Sequence, residues 1–470
     1  MKTAKFKMIG NASGIEKSSE SLCLCASVFK KDAGAVECGF NTETQRLRGT
    51  EFKMTEICLI PEDWEVERIG DIGQVVTGST PPRNNSANWG GDFNWISAKD
   101  FNGKYISKTE EHITEAGKRF CRLLPENSVL VTCIASIGLN AISKKACATN
   151  QQINAVVCRV DSPEYLYYQI CYRNGDLKLL AGQTAVPIIG KKQFEDVLIP
   201  VPPLPEQKKI AEALSDVDEL LAAMTTLIEK KRAIKQGAMQ ELLGMRNEEC
   251  GMRNVPRRRL PGFSGEWVEK RFDECFEFIG NNTYARECMC DDCDGLANIH
   301  YDDVLIRYGS VLDCSRTAIP SLINSIVCRT DRLSDGDVII ADTAEDETVG
   351  KAIEIRGLNG RRAVSGLHTI ACRPRFDFAP GWLGYYINSS AFHDQLLPLI
   401  TGTKVSSISR AGLRTTILNV PPLAEQQAIA AVLSDMDAEI AALEAKRAKY
   451  ESIKQGMMQE LLTGKTRLKQ

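Results

Sequence analysis

The sequence predicts an α+β fold in which two globular regions are separated by two long antiparallel coiled-coil helices, arranged as a pseudo-two-fold internal repeat. Three observations carry this prediction. A helical stretch recurs further along the chain, each copy follows a Pro-Pro-Leu sequence, and short β-branched runs fill the region before each copy. The 470 residues, 43% of them apolar, suffice to bury a core in each region.

The repeat relates residues 202–243 to residues 421–462. At a constant offset of 219 residues, 23 of the 42 positions are identical without a gap. A weaker similarity lies upstream, where the Trp-containing segment 61–69 resembles segment 263–272. Each half therefore has the same order: a Trp-containing start, a globular region, a Pro-Pro-Leu sequence and a long helix.

Both repeated helices carry apolar residues at alternating spacings of four and three. The mean spacing, near 3.5, is typical of a coiled-coil seam. The proline pairs mark where the helices begin, and Gly244 and Gly464 mark where they stop. Each helix of about 38 residues would be about 57 Å long. Two similar seams of this length in one chain most simply pack on each other. The seam residues are Ile210, Leu214, Val217, Leu221, Met224 and Ile228, and then Ile429, Leu433, Met436, Ile440 and Leu443.

The globular regions show strand patterns separated by turn residues. β-Branched runs favour strands, and Asn-Gly pairs are good signals for two-residue hairpin turns. The expected elements are strands at 128–132, 153–157, 337–340 and 368–371, hairpin turns at Asn102-Gly103 and Asn359-Gly360, and helices at 163–170 and 380–388.

Composition excludes several classes of protein. A formal charge of −3 and a pI near 6.0 exclude a uniformly basic surface, so any DNA binding must use local surfaces. The longest apolar stretch near the start, residues 21–29, is too short to span a bilayer, and we expect a cytoplasmic protein with no membrane partner. Seventeen cysteines are too sparse for a disulfide framework.

Motifs for catalysis are missing from the sequence. One cluster of cysteines is spaced closely enough for several thiolates to bind one zinc ion: Cys288, Cys290 and Cys293, with Cys275 nearby. No second pair of closely spaced cysteines accompanies the cluster, and His300 is the one histidine close by. We therefore expect no metal. Glycine-rich nucleotide loops after a strand and adenine-methyltransferase motifs are also missing. We expect a chain that is not an enzyme.

These patterns divide the chain into six parts. Whether the arginines of the linker are simply solvated or contact phosphate stays open. The parts are an N-terminal extension of unknown role (1–53), a first globular region (54–201), a first spacer helix (202–244), a basic linker (245–260), a second globular region (261–420), and a second spacer helix with a C-terminal tail (421–470).

Two diverged globular regions held at a fixed separation suit the recognition of a divided target. A spacer of about 57 Å corresponds to roughly 17 base pairs at about 3.4 Å each. The helix sequences are similar in the two halves, whereas the sequences of the globular regions differ. This is expected if each region reads a different DNA sequence. Two other hypotheses stay open: a helical scaffold or regulator that binds proteins without reading DNA, and a stand-alone nuclease.

Specific motifs stand together in this chain: Pro-Glu-Asp-Trp-Glu-Val at 61–66, Trp-Gly-Gly-Asp at 89–92, Trp-Ile-Ser-Ala-Lys-Asp at 95–100, and two Pro-Pro-Leu-x-Glu-Gln helices that end in Lys-Gln-Gly-x-Met-Gln-Glu-Leu-Leu. In combination, over residues 54–470, they resemble the specificity subunit of type I restriction-modification systems. The resemblance implies two target-recognition domains, each reading one half of a split site in double-stranded DNA. It also implies a C-terminal end that returns beside the N-terminal start.

The resemblance further implies two methyltransferase subunits that dock on the helices and two restriction/translocase subunits. S-adenosylmethionine, ATP and Mg would then be bound by those partners, and this chain would bind no cofactor. The extension before Met54 and the Arg-rich insert at 245–259 depart from the family pattern, and they leave the half-site spacing open.

DNA readout in such a protein would come from loop side chains. Arg favours guanine, Asn and Gln favour adenine, and Lys and Thr often hold phosphate. Trp89 and Trp95 are more often core residues than stacking partners of a base. The candidates are Thr80, Arg83, Asn84, Lys99, Ser136 and Gln151 in the first region, and Asn282, Arg286, Arg316, Lys351, Lys404 and Ser407 in the second.

Overall fold

A computed structural model describes residues 46–47, 50–182, 185–245, 255–291, 295–323, 328–402 and 405–469. The chain forms two compact units. Unit 1 consists of Met1–Ala222 and Ala448–Gln470, and unit 2 consists of Ala223–Arg447. Because both boundaries fall inside the long helices, each unit contains part of each helix. Among the residues described, no helix is long and apolar enough to cross a bilayer.

Unit 1 contains strands and short helices before the first long helix. They are β1 (Arg46–Leu47), β2 (Thr50–Met54), β3 (Leu59–Pro61), β4 (Glu65–Arg68), α1 (Ile69–Ile72), β5 (Gly73–Thr77), β6 (Trp89–Ile96), β7 (Tyr105–Ile106), β8 (Glu111–Ile113), α2 (Glu115–Lys118), β9 (Val129–Thr132), β10 (Asn140–Ser143), β11 (Cys147–Thr149), β12 (Ile153–Cys158), α3 (Pro163–Tyr172), α4 (Asn174–Leu180), α5 (Lys191–Glu195), β13 (Leu198–Val201) and α6 (Leu204–Leu243), which continues into unit 2.

A five-stranded sheet forms the centre of unit 1, in the order β5-β12-β9-β10-β7. Its pairs are antiparallel except β10 with β7. β9 is a Val-Leu-Val-Thr run that is wholly buried, as expected for a central strand with both faces covered. Unit 1 also contains the three-stranded sheets β11-β6-β8 and β1-β2-β3 and the antiparallel pair β13-β4. The N-terminal extension contributes β2, whose Phe52 is buried.

Unit 2 contains a matching series of elements. They are β14 (Val268–Arg271), α7 (Phe272–Cys275), β15 (Phe276–Ile279), β16 (Met289–Cys290), β17 (Ala297–Ile299), β18 (Val311–Asp313), β19 (Ser321–Leu322), β20 (Val338–Ala341), β21 (Thr343–Ala344), β22 (Ala352–Arg356), β23 (Ala363–Ser365), β24 (Thr369–Pro374), α8 (Trp382–Ile387), α9 (Ser390–His393), β25 (Ser406–Ser407), α10 (Arg410–Leu413), β26 (Ile417–Val420) and α11 (Leu423–Leu461), which continues into unit 1.

The five-stranded sheet of unit 2 has the order β15-β24-β20-β22-β18. Numbered by their order along the chain, the five strands follow the sequence 1-5-3-4-2 in both units, and in both the pair at the far edge is parallel. The pair β14-β26 corresponds to β4-β13. The two units therefore share one topology, although their globular sequences align poorly.

The parts of the two long helices run antiparallel within each unit. In unit 2, Lys231 pairs with Glu439 at 2.6 Å and Lys235 pairs with Asp437 at 2.5 Å. Residue numbers along α11 therefore fall where those along α6 rise. In unit 1, Lys454 pairs with Asp218 at 2.6 Å. The predicted seam residues are buried or half-buried, which confirms that these positions face protein.

A buried carboxylate joins the start of each long helix to a tryptophan. In unit 1, the Trp64 Nε1 atom donates to Glu206 at 3.2 Å, and Arg467 of the C-terminal tail donates to both oxygens of Glu206 at 2.8 and 2.6 Å. Arg467 also contacts Asp63. We call these residues the Glu206 clasp. The expected return of the C-terminal end to the N-terminal start is confirmed.

Unit 2 has the same arrangement. Trp267 Nε1 donates to Glu425 at 3.2 Å, and Arg259 donates to the two oxygens of Glu425 at 2.9 and 2.6 Å. We call these residues the Glu425 clasp. Arg259 belongs to the segment expected to be a basic linker, but its guanidinium lies in a buried ion pair. Arg246 and Arg253 of the same linker lie outside the described residues.

Gly464 is required where the tail passes the Trp-containing start. Its φ is +72°, and a Cβ atom there would lie 2.5 Å from the ring of Pro61. A side chain would be disfavoured both by the left-handed backbone conformation and by this contact.

The predicted strands and short helices are confirmed to within a few residues, but the two predicted hairpins are wrong. After Asn102-Gly103, β7 pairs in parallel with β10 instead of with the preceding β6. Asn359-Gly360 is a turn with both φ angles positive, yet the flanking β22 and β23 belong to different sheets. An Asn-Gly pair indicates a local turn, whereas the partner of each strand is chosen by long-range packing.

The two residues that flank the linker insert lie next to each other. Met245 and Pro256 form an antiparallel bridge, and Arg257 N donates to the Gly244 carbonyl at 2.8 Å. Beyond this bridge, Arg258 N bonds to the carbonyl of Glu241, as Thr466 N bonds to that of Glu460 in unit 1. The insert is therefore an addition to a contact that both units share.

We expect that replacing residues 246–255 with two glycines leaves the protein folded, with a change of about 1 kcal/mol or less in the free energy of unfolding. The reason is that the bridged ends need only a short turn, and loop length alters closure entropy slowly. Urea denaturation of the variant and the parent protein measures the difference. A loss above about 2 kcal/mol would show that the insert is part of the packed structure.

Candidate nucleic-acid interface

In unit 1, four of the predicted residues lie near one another around the loop that follows β5. Thr80 in this loop donates its hydroxyl to Gln151 Oε1 at 2.6 Å, and Gln151 lies in the turn between β11 and β12. Arg83, three residues further, pairs with Glu111 of β8, and the charge of Lys99 also acts on Glu111. Polar donors from three chain segments therefore converge at one surface.

Arg83 is held in a defined orientation. Its guanidinium lies 4.0 Å from the centre of the Trp89 ring and 4.8 Å from that of Trp95, and its Nη2 donates to Glu111 Oε2 at 2.9 Å. The hydrogen bond from Arg83 holds the pKa of Glu111 below its ordinary value. Trp95 is buried as expected, with its indole donating to the Ser79 carbonyl at 3.2 Å. Both Nη groups of Arg83 already donate to Glu111, so a base edge that bound this guanidinium through the same two groups would have to displace that carboxylate.

The remaining predicted residues of unit 1 lie apart from these contacts. Asn84 is exposed beside Arg83. Ser136 is exposed in the tight turn between β9 and β10, where Ala135 has a φ of +62°. The loop after β5 therefore groups most of the predicted residues of unit 1, and the β9–β10 turn presents a separate polar group.

The corresponding loop of unit 2 follows β15 and carries Arg286. This arginine donates to buried Asp303 at 2.7 Å, so the two loops each hold an arginine against a carboxylate. Arg316 is highly exposed, with Asp313 at 3.5 Å. Ser407 lies in β25, paired with β21.

Two predicted residues of unit 2 are engaged with the interior of the protein. Asn282 is 6% exposed and donates to Asn298 at 2.7 Å and to the Ser365 carbonyl at 2.8 Å. The ammonium of Lys351 donates to two backbone carbonyls at 2.7 and 3.0 Å, and burial lowers the pKa of Lys351. Both groups thus satisfy protein atoms in this structure. Lys404 lies outside the described residues.

Sequence reasoning missed the carboxylate that pairs with the loop arginine in each unit, which is Glu111 in unit 1 and Asp303 in unit 2. Glu111 lies 28 positions from Arg83, and they meet because β8 pairs with β6. No local pattern in the sequence signals such a pair. For metals, no group of three or more suitable side chains is found among the residues that the structure describes, and Cys293 of the cysteine cluster lies outside them.

Comparison with known proteins finds similarity to type I restriction enzyme specificity subunits. The model of the type I restriction modification DNA specificity domain matches residues 61–233. The chain is 39% identical over 180 residues to the MjaIX type I restriction enzyme specificity subunit of Methanocaldococcus jannaschii, a match that covers 37% of this chain and 42% of that protein. It is 25% identical over 435 residues to the MjaVIII specificity subunit of the same organism, covering 89% of this chain and 96% of that protein.

A solved structure from work on complex assembly and conformational transition of the type I restriction-modification system has a similar fold. The TM-score is 0.55 at 18% sequence identity, and the match covers 87% of this chain and 99% of that chain. At this identity, the likeness concerns the fold alone.

Proposed function

We propose that the chain is a specificity subunit of a type I restriction-modification system, which reads a bipartite sequence in double-stranded DNA and directs partner methyltransferase and restriction subunits to it. The family role is DNA recognition, without catalysis by this subunit. The observation that carries the proposal is the duplication of one topology with different loop chemistry in its two copies.

The loops support readout of two different half-sites. In unit 1, the loop after β5 presents Arg83 against Trp89 and Glu111, whereas the loop after β15 in unit 2 presents Arg286 against Asp303. Arginine side chains in fixed orientations are the commonest readers of guanine edges. Different neighbours around the two arginines would give the two units different preferences.

We further propose that the two long helices form an antiparallel coiled-coil spacer about a pseudo-two-fold axis. Support comes from the apolar seam, from the ion pairs within each unit, and from the 219-residue offset between Asp218 and Asp437, each of which accepts a hydrogen bond from a tyrosine. The proposed parts are target-recognition domains at 54–201 and 261–420, spacer helices at 202–244 and 421–470, and a linker at 245–260.

The partners are proposed on the same basis. Two methyltransferase subunits would dock on the helices and two restriction/translocase subunits would join the complete complex. S-adenosylmethionine, ATP and Mg would be bound by those subunits and not by this chain. A cytoplasmic location also stays a prediction from the sequence.

The test is to co-express the chain with its methyltransferase subunit and to map methylated adenines across the host genome by single-molecule sequencing. We expect one motif with two short defined halves and a constant gap. Exchanging residues 61–201 for those of a relative should then change one half of the motif only, because unit 1 alone is replaced.

The matched control exchanges residues 263–420 and should change the other half. A stable complex without any methylated motif would overturn the proposal and would favour a scaffold that binds the partner subunits without reading DNA. Cleavage of DNA by the purified chain alone with a divalent metal would instead favour a nuclease.

A further inference from the structure

We propose that residues 118–123, of which Arg122 and Leu123 line a groove along the edge strand β5 of unit 1, bind the sugar–phosphate backbone of DNA together with that groove. We call residues 118–123 the basic-aromatic segment. The inference rests on the proposed function and adds to it a contact that lies outside every residue predicted from the sequence.

The basic-aromatic segment has the sequence Lys-Arg-Phe-Cys-Arg-Leu. Phe120 is 51% exposed and Leu123 is 52% exposed, although both are large apolar residues. Arg119 and Arg122 are exposed beside them. In the part of the chain that the structure describes, no hydrogen bond or ion pair engages the guanidinium of Arg119. Exposed apolar groups between cations suit a backbone in which charged phosphates alternate with apolar faces of the sugars.

The segment is fixed to the loop that carries Thr80 and Arg83. The Ser79 hydroxyl donates to the Phe120 carbonyl at 3.0 Å and accepts from the Arg122 amide at 3.3 Å. Arg122 Nη1 donates to the Thr77 carbonyl at 2.5 Å. A DNA strand that contacts Arg83 would therefore meet the basic-aromatic segment on a neighbouring, rigid surface.

A groove runs beside the segment along β5, which is an edge strand of the five-stranded sheet. Its volume is about 850 Å³. Arg122 and Lys191 supply the charged groups of its lining, and no carboxylate is among the lining residues, although Lys191 also lies 3.5 Å from Glu195. The lining residues are Gln74, Val75, Val76, Thr77, Arg122, Leu123, Pro125, Val157 and Lys191.

Unit 2 differs at the corresponding position. Leu124 and Leu333 occupy matching positions, because Leu124 N donates to the Cys147 carbonyl and Leu333 N donates to the Ala363 carbonyl. Two residues before each leucine, unit 1 has Arg122 and unit 2 has Asp331. Asp331 accepts from the Gly280 amide at 2.8 Å. A carboxylate thus replaces a guanidinium at this point of the shared topology.

The groove beside β15 in unit 2 also differs in charge. Asp273 and Glu277 line it together with Arg375 and Arg414, so anionic and cationic groups are mixed. Among the residues that the structure describes, the groove beside β15 therefore lacks the carboxylate-free lining of the groove beside β5. An acidic protein surface is the other partner with matching charge, but the direct hydrogen bonds to the loop of Thr80 and Arg83 favour DNA.

The test measures the affinity of the chain in complex with its methyltransferase subunit for a fluorescent duplex at several KCl concentrations. Each phosphate contact contributes about −0.9 to the slope of log K against log salt. We expect Arg119→Ala to reduce the magnitude of the slope by about 0.9 and to weaken binding about eightfold at about 0.1 M salt. We expect Phe120→Ala to weaken binding roughly fivefold without changing the slope, because the ring would pack against apolar sugar atoms of the backbone and carries no charge.

Lys178→Ala is the matched control, because Lys178 is exposed on α4 and lies outside both the basic-aromatic segment and the groove lining. It should leave the slope unchanged. Unchanged slopes in Arg119→Ala and in Arg119→Ala/Arg122→Ala would overturn the proposal, and a loss of methyltransferase binding at an unchanged slope would assign the groove to a protein partner. The slope is measurable on DNA of any sequence, so it separates this inference from the proposed reading of a motif.

Discussion

Glu206→Gln is expected to lower the free energy of unfolding of unit 1 by about 3–5 kcal/mol. The side chains of Glu206 and Arg467 are 5% and 7% exposed, and the carboxylate accepts from Arg467, Trp64 and the Leu468 amide. An amide at this position would remove the buried counter-charge of Arg467 and leave its guanidinium paired with the more exposed carboxylate of Asp63. Hydrogen-exchange mass spectrometry at increasing urea, followed on peptides of α3 and the start of α6, measures the loss in unit 1 separately.

Glu425→Gln should produce a loss of the same size in unit 2, since Glu425 holds Arg259 and Trp267 in the same way. Glu444→Gln is the control. Its ion pair with Arg232 is exposed, and the expected loss is below about 1 kcal/mol. Equal effects of Glu206→Gln and Glu444→Gln would contradict the role given to the Glu206 clasp.

The Glu206 clasp also predicts how stability depends on pH. Burial opposes the ionisation of Glu206, but hydrogen bonds from Arg467 and Trp64 outweigh it and hold the pKa of Glu206 below its ordinary value of 4.5. A carboxylate with a lowered pKa in the folded state stabilises that state fully above its ordinary pKa. This stabilisation is lost as the pH falls from about 4.5 through the lower folded value. In Glu206→Gln, this part of the acid sensitivity should be missing.

Glu354→Ala is expected to destabilise unit 2 by about 3–5 kcal/mol. The Glu354 side chain is fully buried, and its carboxylate accepts from the Gly381 and Gly384 amides at 2.7 and 3.0 Å and from Arg356 at 2.6 Å. The substitution would leave the amides at the start of α8 without an acceptor and Arg356 without its partner. Urea denaturation followed by hydrogen exchange of α8 peptides measures the effect.

Glu347→Ala removes an exposed carboxylate from the same unit and should change the free energy of unfolding by less than about 0.5 kcal/mol. Under the proposed function, Glu354→Ala should also abolish methylation of the split motif, because both halves must be read. Full methylation despite a destabilised unit 2 would contradict that dependence.

The repeat was the part of the fold most accessible from the sequence. A constant offset of 219 residues and an apolar spacing near 3.5 depend on local geometry alone, and so do buried strands such as 128–132. The Asn102-Gly103 hairpin failed because the next strand finds its partner in β10, nearly forty residues away in the chain. Local turn chemistry carries no information about that choice.

The residues of the candidate interface were likewise predicted only in part from the sequence. Residue type and loop position selected Arg83 and Arg286, which lie after the first strands of two matching sheets. The same criteria also selected Asn282, whose side-chain amide donates to Asn298 and to the Ser365 carbonyl inside the protein. Whether a polar loop residue faces solvent depends on which strands pass beside it, and this is settled by pairing over long distances.

The sequence by itself determined the duplication and the two long helices and supplied the motifs that carry the resemblance to a family, because each is encoded in residue identity or in short-range spacing. The tertiary structure alone decided which charges meet. It paired Arg467 with Glu206 across 261 residues, set Arg83 against Glu111 and two indole rings, and left Arg119 exposed beside a groove without carboxylates. The physical reason is that an ion pair or a groove depends on distances in space between segments remote in the chain, and these exist only once the sheets have formed.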